Sequence, residues 1–134
     1  MAVFATDSTR FSAVVKHEYE ATTGICRESI VINDAAATLR VGAVLGKVTA
    51  TGKWKLAASA AVDGSQNPAG VLIADGLGLS GDIVLVGATD TKALVLARGP
   101  VIVADASLQL GAGITAAAAA TALKALGIIV EVAV

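Results

Sequence analysis

Side chains that commonly carry chemistry are scarce in this chain. Its 134 residues include one histidine, one cysteine, two prolines and only 3% aromatics. A single cysteine excludes an intrachain disulfide framework, and Cys26 reads as a small apolar residue. His17 could join a Ser–His–Asp or Cys–His arrangement only by folding back into a cleft. With Cys26 it matches no metal-ligand spacing. Charged residues make up 16% of the chain, against about 25% in ordinary soluble domains. The net charge of −1 carries no electrostatic footprint for nucleic acid or an anionic membrane. No basic stretch followed by an apolar one opens the chain, so no signal peptide is expected. The most apolar stretch, residues 114–134, is interrupted by Lys124, Gly127 and Glu131, which argues against a spanning helix.

Small and aliphatic residues are abundant instead. Apolar residues reach 55%, with 14 glycines. So few charges would cover a small monomer poorly, so burial against other chains is expected, with an ordinary Ala-rich monomer as the alternative because Ala is only weakly hydrophobic. Organisation changes near Ser29. Residues 1–28 contain Phe4, Phe11 and Tyr19, many of the charges and one glycine, Gly24. The remainder is glycine-punctuated and aliphatic. This divides the chain into an N-terminal arm, residues 1–28, and a β-rich domain, residues 29–134. The arm's aromatics need an apolar surface, either on another molecule or on the protein's own domain. In the second case "FSAVVKHEYEA" could form a short helix, with Phe11, Val14, Val15 and Glu18 at helical spacing.

The domain reads as mostly β with one C-terminal helix. "ESIVIN", "GAVLGKVTA", "KWKLA", "GVLIAD", "GDIVLVG" and "KALVLARGPVIVA" are strand-like runs bounded by Gly, Asp, Asn or Pro. In "GAVLGKVTATGKW" the chain reverses at Thr51-Gly52, with Trp54 on one face and Lys53 and Lys55 on the other. Asp63-Gly64 and Asn67-Pro68 carry turn chemistry. Pro100 cannot donate to a ladder, so a break or bulge is expected there. In "ITAAAAATALKALG", Thr115 is a candidate N-cap and Gly127 a stop, and Leu123 and Leu126 share a face with Ala116 and Ala119. "IIVEVAV" follows as a paired terminal strand.

The glycine-rich stretch fails as a phosphate loop. Gly42 and Gly46 have the wrong spacing, Val48 stands where a hydroxyl is needed, and no helix follows. "GLGLSG" from Gly76 also leads into a strand. A lipoyl or biotinyl carrier would present one lysine at a hairpin tip beside Met or Ala and an acidic residue, and neither Lys47 nor Lys53 has those neighbours. The aspartates Asp63, Asp75, Asp82, Asp90 and Asp105 mostly adjoin Gly, Ala or Thr, which is turn placement rather than paired acid–base placement. No catalytic residues, cofactor site or metal site are expected, and the chain reads as a non-enzyme.

Several of these motifs run together: Arg27-Glu28, then Gly42 to Trp54, Asp63 to Gln66 and Ala69 to Leu72. Later come Arg98-Gly99-Pro100 with Leu108, and "LKALGIIV". In this running pattern the chain resembles the tailed-phage head decoration protein family of the lambda type, over roughly residues 25–130. The resemblance implies a β-clip-like or small β-barrel-like domain with a short C-terminal helix and an extended N-terminal arm. It implies a homotrimer that binds the major capsid protein at three-fold sites of the expanded head and cements the shell. The location implied is the outer virion surface, after assembly in the host cytoplasm, with no nucleic acid, membrane or small-molecule substrate. An arm of this kind would add to a capsid strand, with Phe4, Phe11, Val14, Val15 and Tyr19 as candidate contacts. Gly42, Gly46, Gly52, Trp54, Asp63 and Gly64 would build the structural hairpin and its turns. A β carrier module and a phage tail or tube subunit are the alternatives.

Overall fold

A computed structural model describes residues 15–18, 26–35, 37–75, 83–87, 89–104 and 108–131. Among these the chain is mostly β with one short helix. The strands are β1 (Val15–Glu18), β2 (Arg27–Ile32), β3 (Ala37–Leu39), β4 (Val44–Lys47), β5 (Trp54–Leu56), β6 (Pro68–Asp75), β7 (Ile83–Leu85), β8 (Thr91–Leu96), β9 (Val101–Ala104) and β10 (Ile128–Glu131). The helix α1 (Ala116–Lys124) lies between β9 and β10.

Five strands follow one another in the order β2-β5-β4-β6-β8, and β8 returns to pair with β2. Four of the five junctions are antiparallel ladders. The fifth is thin: β2 and β5 meet in parallel through one residue pair, Ile32 with Trp54. The ring therefore closes at one end of β2 and stays open along the rest of it. A two-stranded ribbon, β3–β7, and a three-stranded sheet, β1-β9-β10, pack against the ring.

The continuous apolar run of β6 explains how the layers stack. A strand buried on both faces loses the usual in–out alternation, and Gly70 to Ala74 are all buried. Leu72 faces the cluster formed with Ile30, Ile32, Leu39, Leu45 and Trp54. Val71 and Ile73 face a second cluster with Val101, Val103, Leu123 and Ile128. The glycine-punctuated half of the chain thus builds two cores back to back, with the ring wall between them.

The helix begins where its cap residue predicts. Thr115 Oγ1 accepts a hydrogen bond from Ala118 N at 3.1 Å, satisfying one of the free N–H groups of the first turn. Ala119 and Leu123, one turn apart, are its buried residues. The expected shared face of Ala116, Ala119, Leu123 and Leu126 is only half correct. Ala116 is exposed, and Leu126 lies past the last turn and is 37% exposed. Gly127 turns the chain at φ 87° and sits directly against the backbone of Gly99, where a side chain would collide. Beyond this contact β10 runs parallel to β9, with α1 as the crossover that parallel strands require. Pro100 falls in the break between β8 and β9, as expected for a residue without an N–H.

Helical spacing in the N-terminal stretch misleads. Val15–Glu18 is a strand, paired antiparallel with β9. The edge of β9 offers unpaired backbone groups, and satisfying them outweighs weak local helix propensity. The boundary drawn at residue 28 falls inside β2, and an ion pair ties β1 to the first residue of β2. Arg27 Nε and Nη2 each lie 2.8 Å from the Glu18 carboxylate, whose side chain is only 3% exposed. Arg27→Ala leaves this carboxylate buried with its bidentate partner gone. A loss of about 2–3 kcal/mol is expected, with faster amide exchange across Val15–Glu18, read by denaturant unfolding and exchange mass spectrometry.

Candidate functional site

The hairpin that dominates the sequence forms as read. Leu45 pairs with Leu56, Gly46 with Lys55 and Lys47 with Trp54. Val48 N donates to Lys53 O in the last bond before the turn, and Gly52 N donates to Val48 O, both at 2.8 Å. Gly42, Gly52 and Gly64 have φ of 102°, 72° and 105°, so all three are turn positions. Trp54 is 4% exposed and lies with its ring against Gly70, while Lys53 and Lys55 point to the half-exposed side.

The "DGSQ" loop folds onto this hairpin. Asp63 Oδ1 accepts from Ser65 N at 3.1 Å and from Ser65 Oγ at 2.6 Å, and Oδ2 pairs with Lys55 Nζ at 3.1 Å. Gly64 N donates to Gln66 Oε1. Ser65 is the one buried polar residue among the described residues, and its backbone rests on Gly46. The Ser65 hydroxyl, then its N–H, then the Lys55 ammonium hold the Asp63 carboxyl at about 2, below its ordinary 3.8. A depressed folded value means that the stabilisation is full above the ordinary value and fades as pH falls toward about 2. Asp63→Asn is therefore expected to be less stable than the parent at pH 6. The gap should close progressively between pH 4 and pH 2, as measured by urea unfolding at stepped pH.

A second polar tie links three segments that are distant in sequence. Asp90 Oδ1 accepts from Asn33 Nδ2 at 2.7 Å and from Lys53 Nζ at 2.9 Å. It joins the end of β2, the start of β8 and the hairpin tip beside the thin seam of the ring. The Asn33 amide first, and the Lys53 ammonium next, lower the Asp90 carboxyl from its ordinary value. Lys53 is thus engaged in an ion pair rather than presented alone at a hairpin tip.

Alongside that seam runs an open groove of about 430 Å³, with Ser29, Ile30 and Val31 on one wall and Lys47, Gly52 and Lys53 on the other. A second concavity of about 330 Å³ lies between the outer face of α1 and β10, lined by Ala120, Thr121, Lys124, Ile129 and Val130. Among the described residues no cluster of His, Cys, Asp and Glu is placed to hold a metal ion. No helix of the described residues is long and apolar enough to cross a membrane.

Of the proposed arm contacts, Phe4, Phe11, Val14 and Tyr19 lie outside the described residues. Val15 must be reassigned: it is 8% exposed, paired with Val103 of β9 and packed in its own chain's core. Gly42, Gly46, Gly52, Trp54, Asp63 and Gly64 all fall in the hairpin or the turns that brace it. The Asn33–Asp90–Lys53 tie and the open flank of β2 carry no signal in the sequence. The members of the tie are separated by up to 57 positions, and only the closing of the ring brings them together.

No curated protein and no solved structure matches the chain. A family profile described as bacteriophage lambda head decoration protein D matches residues 5–129, which spans the ring, the β3–β7 ribbon, the helix and all but the last two residues of the β1-β9-β10 sheet. The chain therefore belongs to the bacteriophage lambda head decoration protein D family, whose members are structural proteins of the phage capsid.

Proposed function

We propose that this protein binds as a homotrimer to three-fold sites of an expanded phage head and cements the shell. The family match over residues 5–129 carries this reading. Low charge supports it, because a chain with 16% charged residues gains from covering apolar surface in an assembly. The outer face of α1 and the neighbouring strand β10 supply a self-association surface. Ala116, Ala117, Ala118 and Thr121 are exposed there, beside Leu126 and Ile129 at 37% and 45% exposure. Such small side chains let backbones approach closely.

Residues 1–14 act as the arm that adds to a strand of the major capsid protein, with Phe4, Phe11 and Val14 as anchors. Three arms on one trimer act multivalently, so each contact can be weak. The truncation that tests the arm ends at residue 14, because Val15 and Glu18 belong to the fold. The decisive experiment mixes the protein with expanded and unexpanded heads and images both by electron microscopy. Ordered density at three-fold sites of expanded heads alone is expected. Equal decoration of unexpanded heads would overturn the cement mechanism. Unchanged affinity after deletion of residues 1–14 would overturn the role of the arm.

A further inference from the structure

We propose that the open flank of β2 is a docking site for an extended, acidic strand of the shell protein. This rests on the head-decoration reading above, and it adds a second contact to that of the arm.

Along one edge β2 is fully paired with β8, from Arg27–Leu96 to Ile32–Thr91. Along the other edge only Ile32 meets β5, where Asn33 N donates to Trp54 O at 3.0 Å. Backbone groups alternate sides along a strand. Since those of Asn33 face β5, the N–H and C=O of Ser29 and the N–H of Val31 face the same side. There the hairpin tip has already turned away, and the groove of about 430 Å³ opens instead. Exposed strand edges are templates for pairing, and proteins that avoid this place charged side chains, above all lysine, or a proline or a bulge on the edge itself. This edge has no lysine, proline or bulge, and its one charge, Glu28, is drawn to Arg98 at 3.8 Å; Ser29, Ile30 and Val31 complete it, and its ladder with β8 is regular.

Charge selects the occupant. Two lysines lining the groove, Lys47 and Lys92, make no ion pair among the described residues. The other charges there are already matched, Lys53 by Asp90 at 2.9 Å and Glu28 by Arg98 at 3.8 Å. The groove thus holds surplus positive charge on a chain of net charge −1. An incoming acidic strand supplies the counter-charge, and the resulting attraction speeds its encounter. The protein's own first 14 residues do not fit this requirement. They carry one Asp and one Arg, Asp7 and Arg10, and so have no net charge to offer.

Hydrogen exchange on the full chain, free and bound to expanded heads, tests the proposal. The Ser29 and Val31 amides are expected to slow at least tenfold on binding. The Ile30 amide, already paired with β8, should change less than twofold. Lys47→Glu combined with Lys92→Glu should weaken head binding at least tenfold at low salt while leaving the free protein's melting temperature unchanged. Ser29→Pro, which removes a groove-facing N–H and spares the β8 ladder, should do the same.

Unprotected Ser29 and Val31 amides on decorated heads overturn this inference and leave the decoration reading intact. Protection that appears in concentrated protein without heads identifies a second copy as the occupant and overturns it as well. Protection lost on deletion of residues 1–14 identifies the arm as the occupant, which also overturns it. Heads left bare by the wild-type protein overturn the decoration reading, and this inference falls with it.

Discussion

Trp54→Ala is expected to destabilise the isolated protein by about 3–5 kcal/mol, the usual range for removing a large aromatic from a core. Three features place it at the top of that range. The side chain is 4% exposed and packs among Ile30, Ile32, Leu45 and Leu72. Its ring lies against Gly70, where no side chain can swing in to fill the space. Its backbone is also half of the one residue pair that closes β2 onto β5. The cavity therefore opens beside the weakest junction of the ring, where there is little ladder to resist rearrangement. A fall in melting temperature of roughly 10–20 °C follows from the usual entropy of unfolding at this size. Because Trp54 is the sole tryptophan, the comparison is made by circular dichroism or calorimetry rather than fluorescence. Trp54→Phe keeps most of the buried area and should cost less than half as much. Equal losses in the two variants would mean that the indole itself, not the filled volume, matters.

Gly46→Ala is expected to destabilise by about 3 kcal/mol or more, at the severe end of overpacking substitutions. A methyl group at this position would lie 2.7 Å from Ser65 Cα and 2.6 Å from Ser65 C, and would overlap its carbonyl oxygen. These are backbone atoms, so no rotamer change relieves the contact. The loop from Asp63 to Gln66 would have to lift, breaking the bonds from Ser65 to Asp63 and exposing Ser65. The change is a single carbon, which separates this mechanism from any loss of buried area. Amide exchange at Ser65 should rise by more than tenfold. A Gly46→Ala protein with parental stability would show that the loop is not seated on β4.

Much of the fold is legible in short stretches of sequence. Trp54 between two lysines, with Gly52 at the reversal, specifies a hairpin with one buried face. Thr115 and Gly127 bracket the helix because a side-chain oxygen and a left-handed residue act locally at its two ends. Such signals extend over three or four residues and survive in any context. The arm is less legible. Phe11, Val14, Val15 and Glu18 follow helical spacing, yet Val15–Glu18 is a strand, because its partner β9 lies more than eighty positions downstream. Leu126 misleads for a related reason: periodicity counts past the last turn, whereas the turn at Gly127 takes the chain away from the core.

The sequence by itself determined the β-rich class, the hairpin, the single described helix with its cap, the poverty in catalytic side chains and the family. Each is written in residue type, short-range spacing or an ordered run of motifs. The tertiary structure alone decided that β6 separates two cores, that Glu18 and Arg27 pin the first strand to the second, and that Asn33, Asp90 and Lys53 meet at a seam one residue pair wide. These depend on which strand lies beside which. That choice is made by burying apolar faces and satisfying backbone groups across the whole chain at once, and no local stretch encodes it.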